Sequence, residues 1–194
     1  ATCWPTICEQ VSVFAAGRNA TCVATGAPSD VAAAAAAAAD LVVLVVDNAK
    51  DGGGEGHDRH EIGLEVSQQR LAEQVLEVGK PTALVLVNGG IIAIDTLKEA
   101  APAILEAWSP GVHGAQAIAE TLFGLNNPAG KLPVTIYKAN YTSQVDFLDM
   151  SMTAGPGRSY RYFTGEPLWP FGFGLSFTTF DLQWSPAPPG RVTI

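Results

Sequence analysis

Basic residues are scarce in this sequence: 11 Lys and Arg stand against 19 Asp and Glu, for a formal net charge of −8. Binding to a phosphate backbone rests on clustered cations, so nucleic acid is excluded as a partner. Long apolar runs are lacking too. The longest, residues 31–39 and 41–46, are divided by Asp40, and neither approaches the roughly 20 residues that a membrane span requires. Only three histidines (His57, His60, His113) and three cysteines (Cys3, Cys8, Cys22) are present, with no Cys-x-x-Cys pair. That leaves no zinc-ligand pattern, and no metal or other cofactor is expected. Neither Gly-x-Gly-x-x-Gly nor a phosphate-binding Gly-rich loop ending in Lys-Ser/Thr follows an apolar run, which argues against a nucleotide-binding domain. No basic segment followed by an apolar one opens the sequence, so any targeting segment has been removed or lies upstream of Ala1.

What is present suffices for one well-buried domain: 194 residues, 47% of them hydrophobic. The cysteines fall together at the amino end, and Asn19-Ala20-Thr21 and Asn140-Tyr141-Thr142 are acceptor sequons. Together they point to N-glycosylation at Asn19 and Asn140 and to an extracellular, secreted or cell-wall location. Which cysteines pair is left open, and a reduced cytosolic protein is the plainer alternative.

In chain order, residues 1–27 read as an irregular arm carrying the cysteines. Ser29 or Asp30 caps a helix made of the alanine run Ala32 to Ala39. The β-branched run 41–46 reads as a strand covered on both faces. A helix starts at Ser67, buries Leu71, Val75 and Val78, and stops at Gly79. A second buried strand spans 82–87 and ends in the turn Asn88-Gly89-Gly90. A short helix at 95–100, a strand at 103–108 and a helix facing inwards with Ala115, Ile118, Ala119 and Leu122 follow. Strands alternating with helices call for an α/β fold, a three-layer sandwich with a mostly parallel sheet. Residues 126–133 are turn-rich and 140–156 lack a period, as expected of a surface wrap. Half of the aromatics fall within 159–180; core packing is their ordinary role, with a sugar-stacking platform or an interface as alternatives. The domain is thus placed at 28–182, and the proline-rich 183–194 reads as a linker or tail.

One loop stands out. Between Asp47 and Arg59, directly after the first strand, lies a charged, glycine-rich stretch centred on Glu55. In open α/β sheets ligands bind beyond the carboxyl ends of the strands, so Glu55 is a site candidate; the plainer reading is an ordinary surface loop.

An ordered set of motifs gives that loop a context: Glu55-Gly56-His57-Asp58-Arg59; Lys80-Pro81-Thr82; Ala103-Ile104-Leu105-Glu106-Ala107-Trp108-Ser109-Pro110-Gly111; Asn127-Pro128-Ala129-Gly130-Lys131-Leu132-Pro133; Gly157-Arg158-Ser159-Tyr160-Arg161-Tyr162; and Phe171-Gly172-Phe173-Gly174-Leu175-Ser176-Phe177. In this order they resemble the second domain of glycoside hydrolase family 3, the β-glucosidases and β-xylosidases, and Cys3 and Cys22 are comparable to cysteines of the xylosidase-like branch. The resemblance implies a sandwich of about six strands laid against an amino-terminal barrel. It implies that Glu55 is the general acid/base of a retaining hydrolase acting on terminal β-linked sugars of oligosaccharides, with the nucleophilic aspartate on the barrel and not in this chain, which alone is expected to be inactive. Retaining chemistry needs two carboxyl groups about 5 Å apart, and the acid/base one calls for partial burial or nearby negative charge; Asp51 and Asp58 are close in sequence. Asp58 and Arg59 are expected to form a charge pair anchoring the loop, and Arg158 and Tyr160 to support loops or contact substrate. His57 and His60 are expected to face solvent. Two departures, Gly53 and Thr153, stand where relatives often carry an acidic residue and an arginine. The alternative is a non-catalytic structural or glycan-binding protein built into a larger protein assembly.

Overall fold

Three parallel strands, in the order β1-β2-β3, organise the chain. They are β1 (Val42–Asp47), β2 (Thr82–Val87) and β3 (Ala103–Glu106). The computed structural model describes residues 4–15, 17–24, 26–48, 55–185 and 190. Val42 pairs with Thr82 and Ala83 with Ala103, so the carboxyl ends of all three strands lie at one edge. The helices are α1 (Ile7–Phe14), α2 (Ser29–Ala38), α3 (Val66–Glu77), α4 (Asp95–Ala100), α5 (Gly114–Leu122) and α6 (Ser159–Tyr162), with a 3-10 turn at Ala139–Ser143. Parallel pairing with helical crossovers confirms the α/β class. Among the described residues the sheet has three strands rather than the expected six.

The core gathers on β2. Leu84, Val85 and Leu86 are buried, with Val46 from β1, Ala72 and Val75 from α3, and Leu97 from α4. β1 is less covered than its apolar run suggests, because it is an outer strand of this sheet, and Val42, Val43 and Val45 are only half-buried. α3 packs on β1 and against α2 and α4, while α1 packs on α5, with Phe14 and Phe123 centroids 6.2 Å apart.

Several boundaries differ from expectation for identifiable reasons. α2 begins after Pro28, which serves as N-cap, so Ser29 and Asp30 lie in the first turn and neither caps it. The arm is not wholly irregular: Thr6 and Glu9 form a capping box that starts α1. The structure joins Cys8 to Cys22, with Cα atoms 5.9 Å apart; Cys3 lies outside the described residues. β3 ends at Glu106 instead of running to Trp108, because Trp108 turns into the left-handed region at φ +50°. The aromatic segment is not mainly core: Tyr160, Tyr162, Phe171, Phe173, Phe177 and Phe180 are exposed. Ile136 does meet Trp169 in an isolated antiparallel bridge. Among the described residues no helix is long and apolar enough to cross a membrane. Residues 49–54, including Asp51 and Gly53, lie outside the described residues, as does most of the tail.

Candidate functional site

The carboxyl edge of the sheet collects the polar groups. β1 leads into Asn48, β2 into Asn88 and β3 into Glu106, and both asparagines are buried, at 5% and 2% exposure. Side-chain amides at that depth replace a strand ladder that has run out. Asn88 donates from Nδ2 to the Gly90 carbonyl (2.7 Å), and Gly89 N–H reaches Asn48 Oδ1 at 3.4 Å. Asn88 N–H donates to the Trp108 carbonyl (3.1 Å), and Trp108 N–H donates to Glu106 Oε1 (3.0 Å). The turns after β2 and β3 are therefore tied together by backbone and side chain at once.

Glu55 re-enters the described chain just beyond β1, in a turn with Gly56 at φ +78°. Its side chain is exposed. His57 Nδ1 lies 3.5 Å from the Glu55 carbonyl oxygen, and His57 and His60 are exposed. Arg59 turns inwards and donates from Nη1 to the Ile91 carbonyl (2.9 Å), in the connection after β2. One anchor of Arg59 is thus a backbone carbonyl 32 residues away, and Asp58 is exposed. Charge-assisted bonds of this kind are among the stronger single contacts.

Arg158 and Tyr160 belong to a different neighbourhood. Arg158 donates from Nη2 to the carbonyls of Asp146 (2.7 Å) and Asp149 (2.8 Å) and from Nε to that of Ser151 (3.2 Å), gathering the 146–151 loop round one guanidinium. Tyr160 stacks on Phe171 with centroids 4.5 Å apart and stays exposed. Beneath them Tyr137 and Tyr141 stack at 3.8 Å with Phe163 set edge-on, and Tyr141 Oη donates to the Gly157 carbonyl (3.0 Å). Burial, reinforced by the neighbouring Tyr137 hydroxyl, pushes the Tyr141 phenol up. Asn19 and Asn140 are both exposed. Among the described residues, two shallow depressions of about 190 and 220 Å³ lie beside Lys138 and Glu166 and between α3 and α4; Glu55 borders neither. Among the described residues no cluster of His, Cys, Asp and Glu could hold a metal.

Glu106 is the group that sequence reasoning missed. Burial pushes its carboxyl up to about 7, and the Trp108 N–H and the Asn88 amide only partly oppose this. As the last residue of an apolar strand it looks like an ordinary strand end, and no local pattern marks it as half-buried. Its stability contribution has a definite sign. The folded carboxyl holds its proton more tightly than the unfolded one, so stability is greatest below about pH 4.5 and falls as pH rises through about 7. At ~1.4 kcal/mol per pH unit the ceiling is ~3 kcal/mol, and the partial solvation of the group makes ~1–2 kcal/mol the expected size. Urea denaturation of Glu106→Gln should therefore show a gain over the wild type at pH 8 relative to pH 4; parallel pH profiles for the two proteins would contradict this.

Parallel strands ending in a polar edge, with a carboxylate on the loop leaving the first of them, define an α/β domain whose candidate site lies beyond the strand carboxyl ends. The family model described as the glycosyl hydrolase family 3 C-terminal domain matches residues 5–177, and the chain belongs to that family. A β-xylosidase from Formosa agariphila is 40% identical over 139 residues, covering 71% of this chain and 19% of the relative. β-D-xylosidase 1 of Arabidopsis thaliana is 39% identical over 146 residues, covering 72% and 19%. Among solved structures, a family 3 exo-β-xylosidase in complex with a xylobiose aziridine probe aligns with TM-score 0.74 at 29% identity, over 90% of this chain and 25% of its own. The β-glucosidase of Kluyveromyces marxianus in complex with glucose aligns with TM-score 0.68 at 29% identity, over 82% and 20%. The chain spans about a fifth of the length of the curated relatives it matches.

Proposed function

We propose that this chain is the second-domain portion of a secreted, exo-acting β-glycosidase of the β-xylosidase or β-glucosidase kind, which hydrolyses terminal β-linked sugars with retention of configuration. Glu55 is the acid/base group, protonating the leaving oxygen and then activating water. The nucleophilic carboxylate comes from a barrel domain outside these 194 residues. The observation that carries the reading is the placement of Glu55, on the loop leaving β1 at the carboxyl edge of the sheet, four residues before an arginine tied to the connection after β2. Exposure of Glu55 in this chain fits a half-site, since retaining chemistry brings the two carboxyl groups to about 5 Å and the barrel would supply both the partner and the burial. The exposed Phe147, Leu148, Met150, Phe177 and Phe180 are read as surface that the rest of the enzyme covers. In the same reading, Asp58 and Arg59 hold the loop, and Arg158 and Tyr160 shape the rim of the sugar site. The exposed sequons at Asn19 and Asn140 and the Cys8–Cys22 bridge support secretion and glycosylation.

The test is hydrolysis of β-xylobiose and of aryl β-xylosides and β-glucosides by the full-length gene product, with the anomer of the released sugar followed by NMR. Release of the β-anomer is expected. A folded full-length protein that cleaves none of these substrates would sink the proposal and leave the structural or glycan-binding alternative.

A further inference from the structure

We propose that Glu106 is a positioning residue for the loop that carries Glu55, acting through contacts that run along the carboxyl edge of the sheet. This rests on the functional reading above for its catalytic meaning, but the contacts themselves do not.

The path can be followed atom by atom. Glu106 Oε1 accepts the Trp108 N–H at 3.0 Å, which closes a tight turn and holds Trp108 at φ +50°, a conformation a bulky aromatic residue rarely adopts. Held there, Trp108 presents its carbonyl to Asn88 N–H at 3.1 Å, and the Asn88 carbonyl accepts Ser109 Oγ at 3.4 Å. The Asn88 side-chain amide, which faces Glu106, also donates to the Gly90 carbonyl at 2.7 Å. Gly90 is where the turn meets the loop: a Cβ there would stand 3.4 Å from Arg59 Nη1, the atom that donates to the Ile91 carbonyl. Each step from Glu106 to Arg59 is thus a hydrogen bond or one peptide unit, the last running from Gly90 through Ile91 to Arg59 Nη1, and Arg59 lies four residues from Glu55.

The cluster also has room to rearrange. Among the described residues, Asn48 Nδ2 and Asn88 Oδ1 are buried without hydrogen-bond partners. A fully satisfied buried network has one arrangement; a network with a spare donor and a spare acceptor has access to others. Among the described residues, the groups that act on the Glu106 carboxyl are a backbone N–H from its own turn and the neutral Asn88 amide from the end of β2. Burial therefore sets its titration near neutrality, and loss of its proton to solvent puts a negative charge beside the two turns. That charge strengthens the pull on Trp108 N–H and on the Asn88 amide at the expense of the Asn88–Gly90 bond, which is the step that leads to Arg59.

Hydrogen exchange on the full-length gene product tests this, because it reads the loop whether or not the protein is active. Peptides covering residues 55–65 and 88–93 are followed from about pH 5.5 to 8.5, with the intrinsic pH dependence of exchange removed. In the wild type, protection should change by about tenfold or more with a midpoint near neutrality. In Glu106→Gln, which keeps an acceptor for Trp108 N–H but cannot ionise, the midpoint should vanish. In Glu106→Ala, which removes the acceptor as well, protection should be low at every pH. A wild type with no midpoint, or a Glu106→Gln variant that keeps it, overturns the proposal. Should Glu106→Gln fail to fold, Glu106→Asp decides: a displaced midpoint supports the proposal and an unmoved one overturns it. An inactive full-length protein with a Glu106-dependent midpoint would remove the glycosidase reading and leave the coupling standing. An active one whose exchange and kcat/KM profiles both ignore Glu106→Gln would do the reverse.

Discussion

Glu55→Gln in the full-length gene product is expected to lower kcat/KM on unactivated β-linked disaccharides by about 10²–10⁴-fold, the usual worth of a positioned general acid/base. Gln keeps the size and polarity of Glu, and Glu55 is exposed on a turn with no packing to lose, so folding should not change. The loss should depend on the leaving group. A sugar hydroxyl leaves poorly unless it is protonated, so the first step collapses on disaccharides. An aryl group departs as a stable anion without that proton, so the first step survives and the glycosyl-enzyme accumulates, because water is no longer activated. A small anionic nucleophile that needs no deprotonation, such as azide, should then restore turnover on the aryl substrate and release a β-glycosyl azide. A merely structural residue would show neither the leaving-group dependence nor the rescue. Equal losses on both substrates, or unchanged rates, would take the acid/base role away from Glu55.

The alternation of strand and helix was legible because it is written in period and punctuation. The buried run ending at Val87 and the glycine stop at Gly79, which sits at φ +75°, need no tertiary information to be recognised. α1 was also present in the sequence, as Thr6 and Glu9 three residues apart before an apolar patch, but the surrounding Cys, Pro and Gly hid it. Other features could not be read locally. Arg59 donates to a carbonyl 32 positions away, and the half-buried Glu106 is faced by an amide from the end of β2, Asn88, 18 positions earlier in the chain. Nothing in the composition of 159–180 distinguishes a core aromatic from one held on the surface. Phe163 is drawn in by the Tyr137–Tyr141 stack, whereas Phe177 and Phe180 are left exposed. Glu55 is a candidate from glycine, charge and position after a strand, signals that single out a loop without saying what closes over it.

Gly157→Ala should be the most damaging single-methyl change in the segment that carries Arg158 and Tyr160. Gly157 is buried at φ +82°, where a side chain costs ~1–2 kcal/mol in backbone strain alone. A Cβ there would also collide with the carbonyl of Tyr162, a backbone group that cannot swing aside, and overpacking of that kind adds ~1–3 kcal/mol. The expected loss is ~2–5 kcal/mol, a large share of the ~5–15 kcal/mol that holds a domain together. Any shift that relieves the collision moves the Gly157 carbonyl away from Tyr141 Oη and drags Arg158 from the three carbonyls it gathers. Gly172 separates the two causes: its φ is +78°, yet a Cβ there would meet nothing within 4 Å. Gly172→Ala should accordingly cost only the strain, ~1–2 kcal/mol. Urea denaturation of both variants checks the argument, and near-UV circular dichroism should register the disturbed Tyr137–Tyr141–Phe163 cluster in Gly157→Ala alone. Equal costs at the two positions would mean that the contact with Tyr162 does not hold this turn in place.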